Sequence, residues 1–429
     1  MPLVPIWDVF GDPKDYIAQS KLSLWSKAFY MPGTQLGFSP RPFTVPLFYK
    51  MAGSDPLAIV LMQKIVYCIS IFVFVNACLI LIKQKLVQLL AIPFLYYFFT
   101  WWIIVGFTEN LLSESLSMSL LFLWIALLIL CIRFKKNYLL VLVLIVSVLF
   151  SFTRDTWPYI ILLANSLLLL VFYKKDKQLK MYFLVLTVFS IGVFLVQSHT
   201  AKVGERYKIP VYNTLVTRIV KNPEYAAWFK GKGMPLTDSL RLHLSDVDPE
   251  NRETISKMYE SYNNPAYQPL YRWIVEKGKT VYMQFMITHP SYFFLKDQTA
   301  EETARIFDTA NHDYYLEAKG YYMEIDKVFP FFSLNFLVYT TLSLLVLFVA
   351  VKPHHGWSLF PTFLVILFVA NVFLSYNADT FEVKRHLFIT QVMIQLLSVL
   401  SIAILVDVVL SYIIELIRLK TKSSSREFH

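Results

Sequence analysis

Four acidic side chains near the start of the chain are candidates for proton-transfer chemistry, and they are Asp8, Asp12, Asp15 and Asp55. Asp12 opens the segment Asp-Pro-Lys-Asp-Tyr, and Ala18 and Leu22 follow at helical spacing. This pattern predicts a turn that leads into an amphipathic surface helix, with the Asp12 carboxylate at the positive end of the helix dipole. From the residue alone, that carboxylate is either a functional group or a simple helix N-cap.

Charged residues also stand at the ends of later apolar segments. Glu114 lies in Leu-Ser-Glu-Ser-Leu at the start of one such segment, where it either complements a helix dipole or serves a site. Arg154 and Asp155 share a tight turn between two apolar segments. They are candidates for a site, and the alternative is that they pair with each other.

A cluster of cations precedes the last apolar segment. Arg385 lies there between Lys384 and His386. A guanidinium can hold a phosphate through two parallel hydrogen bonds, and the neighbouring lysine and histidine could share that role. The alternative is an arginine whose stem covers apolar surface while its charge reaches the membrane–water interface. An ionisable group at a membrane boundary usually has a function, which favours phosphate binding.

The elements that must position these residues are membrane helices. The chain has 429 residues, of which 56% are hydrophobic and 16% are charged, and the apolar residues fall in long runs. A soluble fold is therefore excluded, and a run of about 20 residues crosses a hydrocarbon core as a helix. We expect about nine spans in an all-α polytopic membrane protein. Six runs are long (58–82, 86–105, 115–132, 332–351, 357–375 and 387–410) and three are shorter (138–153, 157–173 and 181–198).

Basic residues distinguish the two faces of the membrane. They are concentrated in alternate loops, which are cytoplasmic by the positive-inside rule. The external face then holds residues 1–56, the segment 199–331 and short turns at 106–114, 153–156 and 376–386. Because no apolar segment precedes residues 1–56, we expect a transmembrane helix upstream of them. The basic loop residues are Lys83, Lys85, Arg133, Lys135, Lys136, Lys174, Lys175, Lys177, Lys180, Lys352, Arg418, Lys420, Lys422 and Arg426.

Charge and cysteine content exclude some functions. The formal net charge of +10 does not indicate a nucleic-acid partner, because topology already accounts for basic residues in short loops. The three cysteines lie in predicted spans without metal-type spacing, so neither a disulfide nor a zinc site is expected. The chain divides into a first external loop with surface helices (1–56), an N-terminal bundle (57–198), an external helical domain (199–331), C-terminal helices (332–417) and a basic tail (418–429).

The external segment 199–331 has the composition of a small soluble domain on the membrane surface. Helical patterns occur around 250–263 and 268–288. Aromatic side chains are frequent there, and packing is their commonest fate in a small domain. Acidic residues and a histidine near 301–313 leave open a divalent metal site of low specificity. The aromatic residues are Tyr225, Trp228, Tyr267, Tyr271 and Trp273, and the metal candidates are Glu301, Glu302, Asp308, His312 and Asp313.

The order of these motifs resembles the GT-C superfamily of glycosyltransferases that use polyprenyl-phosphate sugars, including protein mannosyltransferases and the aminoarabinose transferases of lipid A. The matching residues are Asp12, Tyr16 and Ala18 in the first loop, Arg41-Pro42-Phe43-Thr44-Val45-Pro46, Ser113-Glu114, Arg154 and Arg385-His386. The chain departs from the family pattern at Pro13, where a second acid is common, and at His386, where a tyrosine is usual. The segment 199–331 has no counterpart in the family pattern.

The resemblance implies a GT-C-like helix bundle and an inverting transfer of a sugar from a lipid-linked donor, the co-substrate, to an acceptor hydroxyl. Asp12 would act as general base, with Asp15 as second choice, and Tyr16, Arg41 and Glu114 would support them. Arg385 would neutralise the leaving phosphate, with Arg154, Lys384 and His386 as further candidates. The acceptor would be a protein, lipid or glycan, and catalysis would be metal-independent or metal-assisted. The segment 199–331 would position the acceptor, and its aromatic side chains could stack on sugar rings.

Two other classes remain open from the sequence. An envelope polysaccharide polymerase or ligase also uses a lipid-pyrophosphate donor, external arginines and a large external loop. A secondary transporter usually shows repeated halves and ionisable groups at mid-membrane, whereas the notable charges here lie at one face. The composition favours a prokaryotic inner membrane, with the active site on its external side.

Overall fold

The computed structural model describes residues 5, 12–33, 38–100, 102–245, 264–293, 339–343, 360–378 and 383–424. Within these ranges the chain is helical and contains no β-strand, as expected for an all-α polytopic membrane protein. Among the residues that the structure describes, five helices have the length and apolar composition to cross a membrane, and three apolar helices are shorter. The five are Pro56–Ile80, Ser113–Phe134, Lys177–Val203, Phe360–Asn377 and Phe388–Arg418, and the three are Lys85–Thr100, Asn137–Ser151 and Trp157–Phe172.

Two predicted segments have other boundaries in the structure. The span expected at 86–105 is covered by Lys85–Thr100 and Trp102–Phe107, which reach residue 107, and residue 101 between them lies outside the described residues. The helix Lys177–Val203 continues beyond residue 198, so the expected start of the external domain falls inside a helix. The predicted helix around 250–263 lies outside the described residues.

Residues 12–51 fold as three short helices on one end of the bundle. The first, α1, has acids at both ends of its first turn, where the helix dipole stabilises negative charge. Its buried side chains recur every three or four residues, so they form one face, and that face packs on α3. Ser26 caps α2 by accepting from the Ala28 amide. The three helices are α1 (Asp12–Ser20), α2 (Lys27–Tyr30) and α3 (Thr44–Met51).

A bundle of seven further helices follows. Its centre is α7, which is buried on nearly all sides and packs on α4 and α8. Asp55 caps α4 through the Ala58 amide, and Asp176 caps α10 through the amides of Gln178 and Leu179. The helices are α4 (Pro56–Ile80), α5 (Lys85–Thr100), α6 (Trp102–Phe107), α7 (Ser113–Phe134), α8 (Asn137–Ser151), α9 (Trp157–Phe172) and α10 (Lys177–Val203).

Short turns join these helices alternately at two ends of the bundle. At one end, Lys135 of the α7–α8 turn pairs with Asp176 of the α9–α10 turn, and Lys180 lies 4.1 Å from the Tyr173 ring centroid. We call this the basic end. We call the opposite end, which carries residues 12–33, 38–55, 108–112 and 152–156, the site end.

The segment after α10 forms a small helical domain with its own apolar core. It is tied to the bundle at residues 376–377, where Arg218 Nη1 donates to the Tyr376 carbonyl at 2.8 Å and Tyr282 Oη donates to the Asn377 carbonyl at 2.9 Å. Its α-helices are α11 (Lys208–Thr214), α12 (Pro223–Gly231), α13 (Asp238–Ser245), α14 (Gln268–Trp273), α15 (Lys279–Thr288) and α16 (Pro290–Phe293).

Two long helices, α17 (Phe360–Ala378) and α18 (Val383–Ser424), pack against each other and close the bundle. Asp407 of α18 is buried at the basic end, where it accepts from the backbone amides of Lys83 at 3.0 Å and Gln84 at 2.6 Å. This carboxylate therefore holds the turn between α4 and α5 from the far end of the chain. The span predicted at 332–351 lies outside the described residues except for a helical stretch at 339–343.

Candidate functional site

Arg41 holds two of the predicted acids together at the site end. Its Nη2 atom lies 2.5 Å from Asp12 Oδ1 and 2.8 Å from Asp15 Oδ2. Asp15 also accepts from the Ser39 amide at 3.2 Å. Burial disfavours the guanidinium charge, but Asp12, Tyr16 and Asp15 outweigh that penalty, so the pKa of Arg41 is raised. The charge of Arg41 is therefore permanent.

The backbone of Arg41 is fixed by buried Gln19. The Arg41 amide donates to Gln19 Oε1 at 3.0 Å, while Gln19 Nε2 donates to the carbonyls of Arg41 at 3.0 Å and Phe29 at 2.9 Å. Pro40 and Pro42 flank Arg41 and restrict φ on both sides of it. The guanidinium is thus aimed by a rigid segment.

Gly204→Ala is expected to displace this rigid segment. A Cβ atom at Gly204 would lie 2.9 Å from Pro40 Cβ and 3.2 Å from the Pro32 carbonyl oxygen, and neither proline can yield easily. Overpacking of this kind costs about 1–3 kcal/mol, so the melting temperature in detergent should fall. Gly192→Ala is the matched control, because open space surrounds Gly192 in the preceding helix. Equal melting temperatures for the two variants would contradict the contact.

Tyr16 lies between the Arg41 cluster and the start of α7. Its ring centroid is 5.5 Å from Arg41 Cζ and 5.9 Å from the Tyr49 centroid. Burial, Asp12 and Glu114 raise the pKa of Tyr16 to about 12, against the opposing effects of Arg41 and a hydrogen bond with Ser113. Tyr16 is therefore a neutral hydroxyl at physiological pH, able to donate a hydrogen bond.

The raised pKa of Tyr16 predicts a loss of stability in alkali. Because the folded value of about 12 exceeds the unfolded value of 10.0, the contribution of Tyr16 is complete below pH 10.0 and is lost as the pH rises towards 12. Tyr16→Phe removes this titration, so its free energy of unfolding should fall less steeply over that window. Chemical denaturation at several pH values measures the slope. Tyr30→Phe, at a half-exposed ring, should keep the wild-type slope, and the prediction fails if Tyr16→Phe keeps it too.

A second ionic pair lies at the start of α7. Arg154 Nη1 is 3.7 Å from Glu114 Oε1, and Ser113 Oγ donates to Glu114 Oε2 at 2.9 Å. The Glu114 side chain is 1% exposed and that of Arg154 is 13% exposed, so the pair is shielded from water. Since Ser113 also contacts Tyr16, this pair and the Arg41 cluster form one network. Six predicted residues belong to it: Asp12, Asp15, Tyr16, Arg41, Glu114 and Arg154.

Asp155 takes a different partner from its neighbour Arg154. Arg206 donates to it in a bidentate fashion, with Nε 3.0 Å from Oδ2 and Nη2 2.9 Å from Oδ1, and Gln197 Nε2 donates at 2.6 Å. Arg206 also donates to the carbonyl and hydroxyl oxygens of Thr200. The turn that presents Arg154 to Glu114 is therefore anchored to the end of α10.

The structure adds residues that the sequence analysis missed. Lys64, eight residues into α4, pairs with Glu109 at 2.8 Å, and their side chains are 18% and 5% exposed. Gln63 beside it is buried, and with its amide oriented to donate it bonds the Thr108 carbonyl at 2.8 Å. The position of Lys64 inside an apolar run could have identified it as a candidate from the sequence, because a charged residue within a membrane segment usually has a function. No feature of the sequence indicated that Tyr49 is buried against Tyr16.

The predicted cations before the last span lie in the first turn of α18. Lys384, Arg385 and His386 are helical there, and their side chains lie outside the described atoms. One turn further, Phe388 stacks on Phe107 with ring centroids 3.9 Å apart. The start of α18 is thus next to the turn that carries Glu109.

The aromatic residues predicted to bind sugar have mostly packing roles. Tyr225, Tyr267, Tyr271 and Trp273 are buried in the core of the small helical domain that follows α10, and Trp228 is half-buried. The metal candidates at 301–313 lie outside the described residues. Among the residues that the structure describes, no group of three or more His, Cys, Asp or Glu side chains is placed to hold a metal ion.

Comparison with known proteins gives no relative: no family model, no curated protein and no solved structure matches the chain.

Proposed function

We propose that this protein is an integral-membrane glycosyltransferase that moves a sugar from a polyprenyl-phosphate donor to an acceptor hydroxyl at the external face. The observation that supports the proposal is the network at the site end. There, Asp12 and Asp15 form ion pairs with Arg41. Tyr16 connects this cluster to the Glu114–Arg154 pair. A base beside several cations suits a reaction in which a hydroxyl loses its proton and a phosphate departs. The resemblance to GT-C enzymes leads to the same reaction.

Asp12 would act as general base. The acceptor oxygen attacks the anomeric carbon as Asp12 takes its proton, and the bond between that carbon and the phosphate oxygen breaks on the opposite side. Arg41 would hold the carboxylate in place, since its Nη2 atom donates to Asp12 Oδ1. Asp15 shares Arg41 but is also committed to the Ser39 amide, which makes it the second candidate.

The departing phosphate oxygen would keep the electron pair of the broken bond, and nearby cations would stabilise its negative charge. Arg154 lies at the network, and Arg385, Lys384 and His386 would approach from the start of α18. Lys64 of α4 adds a cation, which pairs with Glu109. Fixed positive groups that stabilise a departing anion usually accelerate such a reaction more than any other single effect.

The test is sugar transfer by the purified protein. Radiolabelled polyprenyl-phosphate sugars and polyprenyl-pyrophosphate sugars are supplied separately, with membrane extract as acceptor. We expect transfer from the monophosphate donor, and we expect Arg385→Ala and Asp12→Asn to abolish it. Asp238→Asn, at a fully exposed side chain, is the control and should retain transfer. Transfer from the pyrophosphate donor alone would favour a polymerase or ligase, and no transfer from either would refute the proposal.

A further inference from the structure

An exposed apolar tip joins α1 and α2. Trp25 is 98% exposed and its neighbour Leu24 is 36% exposed, while Lys21 and Lys27 on either side are exposed. We call residues 21–27 the tryptophan tip. A large aromatic ring held fully in water, with cations on both sides, is the composition of segments that sit at a membrane interface.

The tryptophan tip is held in a defined position. Lys50 Nζ donates to the carbonyls of Ser20 at 3.1 Å and Leu22 at 2.8 Å, which closes the end of α1. The Trp25 amide bonds Ser23 Oγ at 3.3 Å, and Ser26 caps α2. The exposure of Trp25 is therefore imposed by an ordered turn.

The tip is continuous with the surface of α4 that faces lipid. Ser20 Oγ lies 2.7 Å from Ser54 Oγ, just before α4 begins. The outer face of α4 is apolar from its first turn, with Leu57, Leu61 and Ile65 each about half exposed. Met51, the residue after Lys50, is 69% exposed and lies between the two surfaces in sequence. The apolar surface of the bundle thus extends sideways to the tip at the level where α4 enters the membrane.

We propose that the tryptophan tip inserts into the leaflet at the site end, with Trp25 and Leu24 at the boundary between headgroups and acyl chains. Lys21 and Lys27 then reach the phosphates of anionic lipids. A lipid surface is favoured over a protein partner because the tip continues a lipid-facing surface and carries only positive charge. The insertion fixes the height of the adjacent Asp12–Arg41 cluster relative to the phosphate plane, and it does not depend on the proposed reaction.

Tryptophan fluorescence of the full chain in vesicles tests the insertion. The Trp25 signal is the difference between the wild type and Trp25→Phe, and the vesicles contain phosphatidylcholine brominated either near the carbonyl groups or near the chain ends. We expect a blue-shifted Trp25 signal that the shallow bromines quench more than the deep ones. The difference between the wild type and Trp228→Phe, in the external domain, is the control and should not be quenched.

Two results would overturn the proposal. An unquenched Trp25 signal with the emission maximum of a tryptophan exposed to water would show that the tip stays in solution. An unquenched, blue-shifted signal that aqueous iodide cannot reach would show that a protein surface covers it. Adding phosphatidylglycerol should increase the bromine quenching of Trp25 in the wild type. In the double variant Lys21→Ala, Lys27→Ala, the quenching should not change. An equal increase in both proteins would contradict the proposed contact between the lysines and anionic lipids.

Discussion

Asp12→Asn reduces kcat by about 10²–10⁴-fold if this carboxylate is the general base. The amide retains an oxygen that can accept from Arg41, so the contact between α1 and the proline segment survives. What is lost is the ability to take a proton from the acceptor. We therefore expect kcat to fall while KM for the lipid donor and the melting temperature stay close to those of the wild type.

Asp15→Asn is the matched comparison, since Asp15 shares Arg41 and lies in the same helix. Asp15 accepts from both Arg41 and the Ser39 amide, and asparagine keeps only one accepting oxygen, so we expect a smaller effect on kcat than at Asp12 and a loss of one of these two bonds. If Asp15→Asn abolished transfer and Asp12→Asn did not, the two roles would have to be exchanged. If neither did, the base would lie elsewhere.

Arg41→Ala should destabilise the protein by about 3 kcal/mol, the low end of the range for removing one partner of a buried ion pair. The low end applies because Arg41, Asp12 and Asp15 remain 24%, 16% and 19% exposed. The loss leaves two carboxylates facing each other without their shared cation. Thermal unfolding in detergent measures it, with Arg133→Ala, at an exposed arginine on the basic end, as control.

A triple variant separates stability from catalysis. Arg41→Met combined with Asp12→Asn and Asp15→Asn removes all three charges, and replacing a whole buried ion cluster with neutral groups is often close to neutral. We expect it to recover most of the stability lost in Arg41→Ala and none of the activity. A melting temperature of Arg41→Ala equal to that of Arg133→Ala would mean that the ion pairs contribute nothing measurable.

Several features of the fold and the site were predictable because they follow from local patterns. Long apolar runs predict membrane helices, and Glu114 and Arg154 stand where such runs begin and end. Asp12 precedes a short amphipathic pattern that the structure confirms as the helix Asp12–Ser20. These predictions need only the period of a helix and the behaviour of charges at helix ends.

The pairings were not predictable. Arg41 contacts acids 26 and 29 residues away, and no periodicity connects positions across a turn and two helices. The adjacency of Arg154 and Asp155 suggested that they pair, but Asp155 is committed to Arg206. The aromatic residues proposed for sugar binding fill the core of a small domain, because a domain of that size needs large side chains to bury enough apolar surface.

The carboxylate of Asp407 gives this protein an order of assembly. It is the partner of the Lys83 and Gln84 amides, which precede it by 324 and 323 residues. At a synthesis rate of about 5–20 residues per second, synthesis from Gln84 to Asp407 takes about 15–65 s. During that time the turn between α4 and α5 lacks the Asp407 carboxylate. We expect chains that terminate before Asp407 to insert and then to be degraded faster than full-length chains in pulse-chase labelling, with Asp407→Ala showing the same fate. Synthesis of α18 would then be the step at which the turn between α4 and α5 becomes stable and the chain becomes resistant to degradation.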